Sequence, residues 1–236
     1  MFTLEEINNE VHKYNKYTSY EVPEFQKVER DNSNKYFGEI RRNEIMNDNY
    51  IIHISDRLYD CPLEFQKSVI WHEATHLYDI INFKENENIE GIMKTYSEAH
   101  AESIQLRFLL HITPKQIVNQ GTRFLIYETG KEELSIVTGN YINHSLQALN
   151  NFQMSKSPND FDLFTNNFCY FCGYMMLKKR KDADKLASYA ISLFSKYKTD
   201  LQLLYKSIID KNFEMSSNIY IKMKSDAMLQ SFNNII

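Results

Sequence analysis

The run His72-Glu73-Ala74-Thr75-His76, set between Val69-Ile70-Trp71 and Leu77, constrains this chain more than any other feature. Residues four apart lie one above the other on a helix, so both imidazoles can reach a single ion only if this stretch is helical. Glu73 is rotated one residue off that line, which suits it to take a proton from an attacking water rather than to bind the metal. The motif therefore predicts a helix half buried by its apolar neighbours, a metal held by His72 and His76, and a general base at Glu73.

A catalytic zinc takes three protein ligands and keeps a fourth position open. The third is sought in Tyr96-Ser97-Glu98-Ala99-His100-Ala101-Glu102, far enough beyond His76 for a loop and a second helix that returns past the first. Glu98 is the favoured ligand, with His100 and Glu102 as alternatives. Glu98 and Glu102 share a helix face, whereas His100 points to nearly the opposite side, so the three cannot all bind one ion. Glu102 reads either as a solvated charge or as an acceptor that orients a ligand histidine.

A strand, a short loop, a His-Glu-x-x-His helix and then Glu98-Ala99 with Glu102 on a second helix resemble the gluzincin branch of the zinc metallopeptidases. Within it, residues 48–114 are similar to the compact ImmA/IrrE-like group common on phages and other mobile elements. The departures are Thr75, where that group often has glycine, and the displaced Leu109-Leu110, which does not fall in register with the Leu-Leu-x-Pro ending of that group. The resemblance implies Zn2+ on His72, His76 and Glu98, catalysis through Glu73, and a peptide or protein substrate.

The rest of the chain is read around that motif. Short extended pieces are predicted at Tyr20–Val22, Lys35–Ile40 and Asn49–Ile54, broken by the polar Asp31–Asn34 and Asn43–Asn49. In the last piece alternate residues suggest a strand covered on both faces, ending at Ser55-Asp56. Pro62 and Glu64 start the metal helix, which should run to about Ile80. A second helix is expected from Ile89 or Gly91 to Leu110, before Thr113-Pro114. Lys115–Thr129, Tyr141–Phe152 and residues 163–180, 183–197, 199–213 and 216–232 carry apolar residues at helical spacing, with Ser155–Asp162 as a linker. The expected fold is α+β: a small N-terminal sheet packed on the metal-bearing helices, and a mostly α-helical C-terminal half. The expected domains are a catalytic core over residues 1–160 and a helical extension over 161–236 packed on it.

Composition narrows the partners. A net charge of -4 gives no basic footprint for nucleic acid. No apolar stretch is long enough to span a bilayer, no leader segment is visible, and three cysteines are too few and odd for a disulfide framework, which points to the cytoplasm. Cys169-Tyr170-Phe171-Cys172 lacks a second cysteine pair and reads as buried core. Asp79 reads as a helix-end charge, although it could also orient His76. Lys178-Lys179-Arg180-Lys181 reads as cations at a helix end. His53 is a candidate for the border of a substrate cleft, and Tyr96, Tyr141 and His144 are candidates there for an oxyanion donor. The competing function is a non-catalytic, zinc-stabilised helical interaction or regulatory protein of a mobile element.

Overall fold

The computed structural model describes residues 2–32, 36–42, 49–119 and 121–233. It is an α+β protein, with small sheets toward the N-terminal side and a helical C-terminal half. It divides into two compact units: Met1–Asn82 with Ile104–Gln116 and Thr122–Leu134, and Phe83–Ser103 with Ile117–Gly121 and Ser135–Ile236. Residues 83–103 and 135–155 thus group with the C-terminal helices, so the division does not fall near residue 160.

The first unit opens with α1 (Leu4–Thr18), a helix beyond those expected from the sequence. Its signals are local. Thr3 Oγ1 accepts from the Glu6 N–H at 3.2 Å while Glu6 Oε2 accepts from the Thr3 N–H at 2.8 Å, a capping box of the kind that contributes about 1 kcal/mol. Ile7, Val11 and Tyr14 then fall on one face and are fully buried. The helix ends where Ser19 takes a left-handed φ of 62°.

Beyond it, Tyr20–Val22 is extended, but it is not a strand. The Asn15 side chain satisfies both the N–H and the carbonyl of Val22, and Asn8 does the same for Phe25, so the segment is held by amide side chains of α1 instead of a neighbouring strand.

The sheet proper is β1 (Lys27–Asp31), β2 (Gly38–Arg42) and β3 (Tyr50–Ser55). β3 is central, parallel to β1 and antiparallel to β2. Burial of Ile52 and Ile54 on one face and of His53 and Ser55 on the other confirms that both faces of β3 are covered. The expected strand Lys35–Ile40 meets the structure at Gly38–Ile40, while Lys35 and most of the Asn43–Asn49 break lie outside the described residues. β1 falls partly on the polar Asp31–Asn34 cluster, because strand pairing with β3 overrides the weak propensity of Lys27-Val28-Glu29-Arg30-Asp31.

A 3-10 turn at Asp56–Asp60 leads into α2 (Leu63–Phe83). Phe65, Val69, Ile70, Trp71, Ala74 and Leu77 are buried along it, as are the polar Ser68, His72, Glu73, Thr75 and Asp79. A helix closed in on so many sides must satisfy its polar side chains within the protein.

The helix expected over Lys115–Thr129 is absent. Its second half is a hairpin of β4 (Phe124–Tyr127) and β5 (Gly130–Glu133), with Tyr127 opposite Gly130. Phe124-Leu125-Ile126-Tyr127 suits a pleated surface, and Gly130 at φ 131° supplies a turn conformation closed to side chains. Tyr127 packs edge-on against Phe65 at 5.0 Å.

In the second unit the expected helix over residues 89–110 begins as α3 (Ile89–Ile92), passes through a π-helical turn at Met93–Ser97 and continues as α4 (Glu98–Leu109), whose residues from Ile104 onward belong to the first unit. The Thr95 hydroxyl donates to the Gly91 carbonyl at 2.7 Å, competing with the backbone N–H that an α-helix would place there. Gly91 is required by packing: a Cβ there would lie 2.0 Å from Ser217 Oγ.

α5 (Leu134–Ser155), α6 (Pro158–Met175), α7 (Arg180–Ile191), α8 (Lys198–Ile209) and α9 (Phe213–Asn233) follow. The expected Ser155–Asp162 linker shrinks to Lys156 and Ser157, since a left-handed Lys156 turns the chain and Pro158 opens α6 at once. Phe161, Phe164, Phe168, Phe194 and Tyr197 form the aromatic centre of this unit. The basic run does not end a helix. Arg180 lies in the first turn of α7, where the dipole disfavours it, and is held by Asp184 at 2.9 Å and Asp210 at 2.6 Å. Among the described residues no helix is long and apolar enough to cross a membrane.

Candidate metal centre

α2 carries His72 and His76 one turn apart, as their spacing requires. Their Nε2 atoms face each other at 3.1 Å. Together with a carboxylate oxygen of Glu98 they form a group whose ligand atoms all lie within 4.8 Å of one another, the one such group of three or more among the described residues. His72 is buried, and His76 and Glu98 are partly so. Two nitrogens bound tetrahedrally to one zinc, each about 2.0–2.1 Å from it, stand about 3.3 Å apart. The histidine pair is therefore already at ligand spacing, and a third donor from a carboxylate completes a set able to hold a metal ion.

Glu98 owes its position to the π-helical turn just before it, which adds a residue to the helix and rotates the residues beyond it by about 100° relative to an unbroken α-helix. α6 also packs against this turn. A Cβ on Gly173 would lie 2.5 Å from the Ala99 carbonyl oxygen and 2.9 Å from Glu102 Cβ, so only glycine lets the two backbones approach this closely.

The two alternatives to Glu98 are placed elsewhere. His100 is buried with its ring 5.5 Å from that of Tyr96. Glu102 is 3% exposed, so it is not a solvated charge, and it accepts a hydrogen bond from the Tyr141 hydroxyl at 2.5 Å.

The side chain against His72 is Gln105, a residue outside the expected site. His72 Nδ1 lies 2.9 Å from Gln105 Oε1. Gln105 Nε2 donates in turn to Ser68 Oγ at 3.0 Å, and Ser68 Oγ donates to the Phe65 carbonyl at 2.7 Å. Gln105 lies one and two helical turns beyond Glu102 and Glu98, so spacing could have found it once a polar residue was sought there.

Glu73, the candidate base, is 6% exposed, and its side chain lies against β2 at Gly38. Asp79 is not a helix-end charge: it is 1% exposed, and its carboxylate adds to the rise in the hydroxyl pKa of Tyr14, Tyr20 and Tyr78. Cys169 and Cys172 are fully buried on α6, and burial raises both thiols above their ordinary pKa. They carry no ligand of the metal group. His53 lies on β3 with Glu29 Oε2 3.6 Å away.

Comparison of the chain with family models, with curated proteins and with solved structures finds no match in any of the three.

Proposed function

We propose that this protein is a zinc-dependent metallohydrolase, a gluzincin-type peptidase similar to the ImmA/IrrE-like group, acting on a peptide or protein substrate. The observation that carries the reading is the paired approach of His72 and His76 Nε2 at 3.1 Å with the Glu98 carboxylate in the same group. Two imidazoles and one carboxylate are the donor set that suits zinc and leaves a coordination position for water or substrate. When bound, zinc acidifies a water and polarises the scissile carbonyl.

In this reading His72, His76 and Glu98 hold the ion, and Glu73 takes the water's proton through its carboxylate and delivers it to the leaving amine. Burial of Glu73 supports that role, since water exclusion strengthens each electrostatic contact in the site. The free cysteines and the lack of a spanning helix among the described residues support a cytoplasmic setting.

The experiment is paired. The purified protein is expected to hold about one zinc per chain, and His72→Ala to lose it. Glu73→Gln is expected to keep the zinc and lose hydrolysis of unfolded casein. Equal hydrolysis by Glu73→Gln and the unaltered chain, or stoichiometric zinc in His72→Ala, rejects the reading. Closed four-ligand coordination in the zinc absorption spectrum, with no exchangeable water, favours a structural metal instead.

A further inference from the structure

We propose that Gln105 is the positioning residue of the metal group, locking His72 as the Nδ1–H tautomer so that its Nε2 lone pair faces the ion, with Ser68 fixing which way the Gln105 amide points. The proposal rests on the reading of His72 as a zinc ligand, and its logic follows from donors and acceptors alone. Ser68 Oγ has a single hydrogen and donates it to the Phe65 carbonyl at 2.7 Å. Ser68 must therefore accept from Gln105, which turns the amide –NH2 toward the serine at 3.0 Å and the amide oxygen toward His72. That oxygen, 2.9 Å from Nδ1, requires Nδ1 to carry the proton. The remaining nitrogen, Nε2, then carries a free lone pair, and it is the atom that faces His76 Nε2.

The reversed amide would draw the Ser68 hydrogen away from the Phe65 carbonyl, and it would leave Nε2–H pointing at the ion position. Burial enforces the choice, because Ser68 is 0% exposed and Gln105 5% exposed, and neither can turn to water for the missing bond. All four groups, Phe65, Ser68, His72 and Gln105, sit in the first unit on α2 and on the part of α4 beyond Ser103. The relay is therefore internal to that unit and independent of what Glu98 does.

The test uses the full chain, with and without zinc. In metal-free 15N-labelled protein, long-range proton–nitrogen spectra are expected to show His72 protonated at Nδ1 alone. Gln105→Leu should mix the tautomers and weaken zinc in chelator competition by roughly ten- to a hundredfold. Gln105→Glu gives up the bond from the amide Nε2 to Ser68 but keeps an acceptor opposite Nδ1, so it should retain the Nδ1–H tautomer and bind zinc more tightly than Gln105→Leu, a rescue that a merely space-filling role would not give. Ser68→Ala frees the amide to turn and should mix the tautomers while leaving Gln105 in place. An unaltered zinc affinity and tautomer in folded Gln105→Leu overturns the proposal. If Gln105→Leu does not fold, Ser68→Ala decides, and a pure Nδ1–H His72 in that variant overturns it equally. Failure of the unaltered chain to bind zinc would reject the metal reading alone, since the metal-free spectra decide the tautomer and its dependence on Gln105 and Ser68.

Discussion

A Cβ built on Gly38 of β2 would lie 2.9 Å from Cγ and 3.0 Å from Oε1 of Glu73, so the bare backbone of that strand forms the floor on which the candidate base rests. Gly38 pairs with Ile54 of the central strand, which holds it in place. Gly38→Ala should push the Glu73 carboxylate by a few tenths of an ångström while leaving the histidines untouched. Because catalysis is sensitive to such displacements, hydrolysis is expected to drop about tenfold or more with unchanged zinc content. Unchanged turnover in a folded Gly38→Ala variant would argue against Glu73 as the base.

The ligand set makes a separate prediction. Glu98→Ala removes a donor and should release zinc, whereas His100→Ala and Glu102→Gln should retain it. Glu102→Gln and Tyr141→Phe each weaken a buried 2.5 Å hydrogen bond, so both should lower the melting temperature. Zinc content after dialysis and a thermal melt separate the two classes of variant. Zinc lost from His100→Ala and kept in Glu98→Ala would reassign the third ligand.

Legibility in the sequence tracks the range of the interactions involved. His72, Glu73 and His76 were readable because helical geometry fixes their relation within one turn. β3 was readable because Tyr50, Ile52 and Ile54 alternate with a partly apolar opposite face. Gln105 was not: its role depends on Ser68 in another helix, a relation that no local spacing records. α1 carries a capping box at Thr3 and Glu6 that local sequence records, within otherwise polar surroundings. Within Lys115–Thr129, the stretch Phe124–Tyr127 is a strand where helical spacing predicts a helix, because three-and-four spacing in a short apolar run also fits a strand, and the following Gly130 is the signal that favours a hairpin. The π-helical turn before Glu98 coincides with the Thr95 hydroxyl bond to Gly91 and the close packing of Gly91 on Ser217, and neither can be inferred from periodicity.

The thiols should be silent in the folded protein. Burial raises the pKa of Cys169 and Cys172, so little thiolate exists near neutral pH and a reagent cannot reach what does. Partly exposed Cys61 is raised too, and it should react slowly. Titration with a chromogenic disulfide is expected to count at most one thiol in native protein and three in denaturant. Rapid modification of Cys169 or Cys172 without unfolding would contradict their place in the core.

Alkaline pH should unfold the protein through its tyrosines. Burial raises Tyr14, Tyr205 and Tyr220 well above the ordinary range and takes Tyr20 to about 12. A pKa raised by folding means that the folded state favours the protonated phenol. The associated stability is complete below the unfolded value of about 10 and is lost as pH rises from there through the folded values. Tyrosinate absorbance is therefore expected to appear in two phases, exposed residues first and the buried ones together with the loss of helical circular dichroism. A single phase near pH 10 with retained helix would show that these phenols are accessible.

The last prediction concerns a cut at residue 160. In the second unit, Gly91 abuts Ser217, Thr95 Oγ1 lies 3.2 Å from Ser216 Oγ, Ser145 donates to the Phe164 carbonyl, and Gly173 seats α6 on the first turns of α4, which begins at Glu98. A fragment ending at residue 160 keeps the first partner of each pair among Gly91, Thr95 and Ser145, and loses everything they pack on. It also loses Phe164, Phe168, Phe194, Leu201, Leu204 and Ile208, each at most 1% exposed. At roughly 1.5–3 kcal/mol for each buried side chain, their sum rivals the whole stability of a domain, about 5–15 kcal/mol. The fragment is therefore expected to be insoluble or to melt without cooperativity, and to retain no zinc because the segment bearing Glu98 has lost its support. A soluble fragment with a sharp thermal transition and one bound zinc would show that residues 83–103 and 135–155 hold their structure without α6–α9.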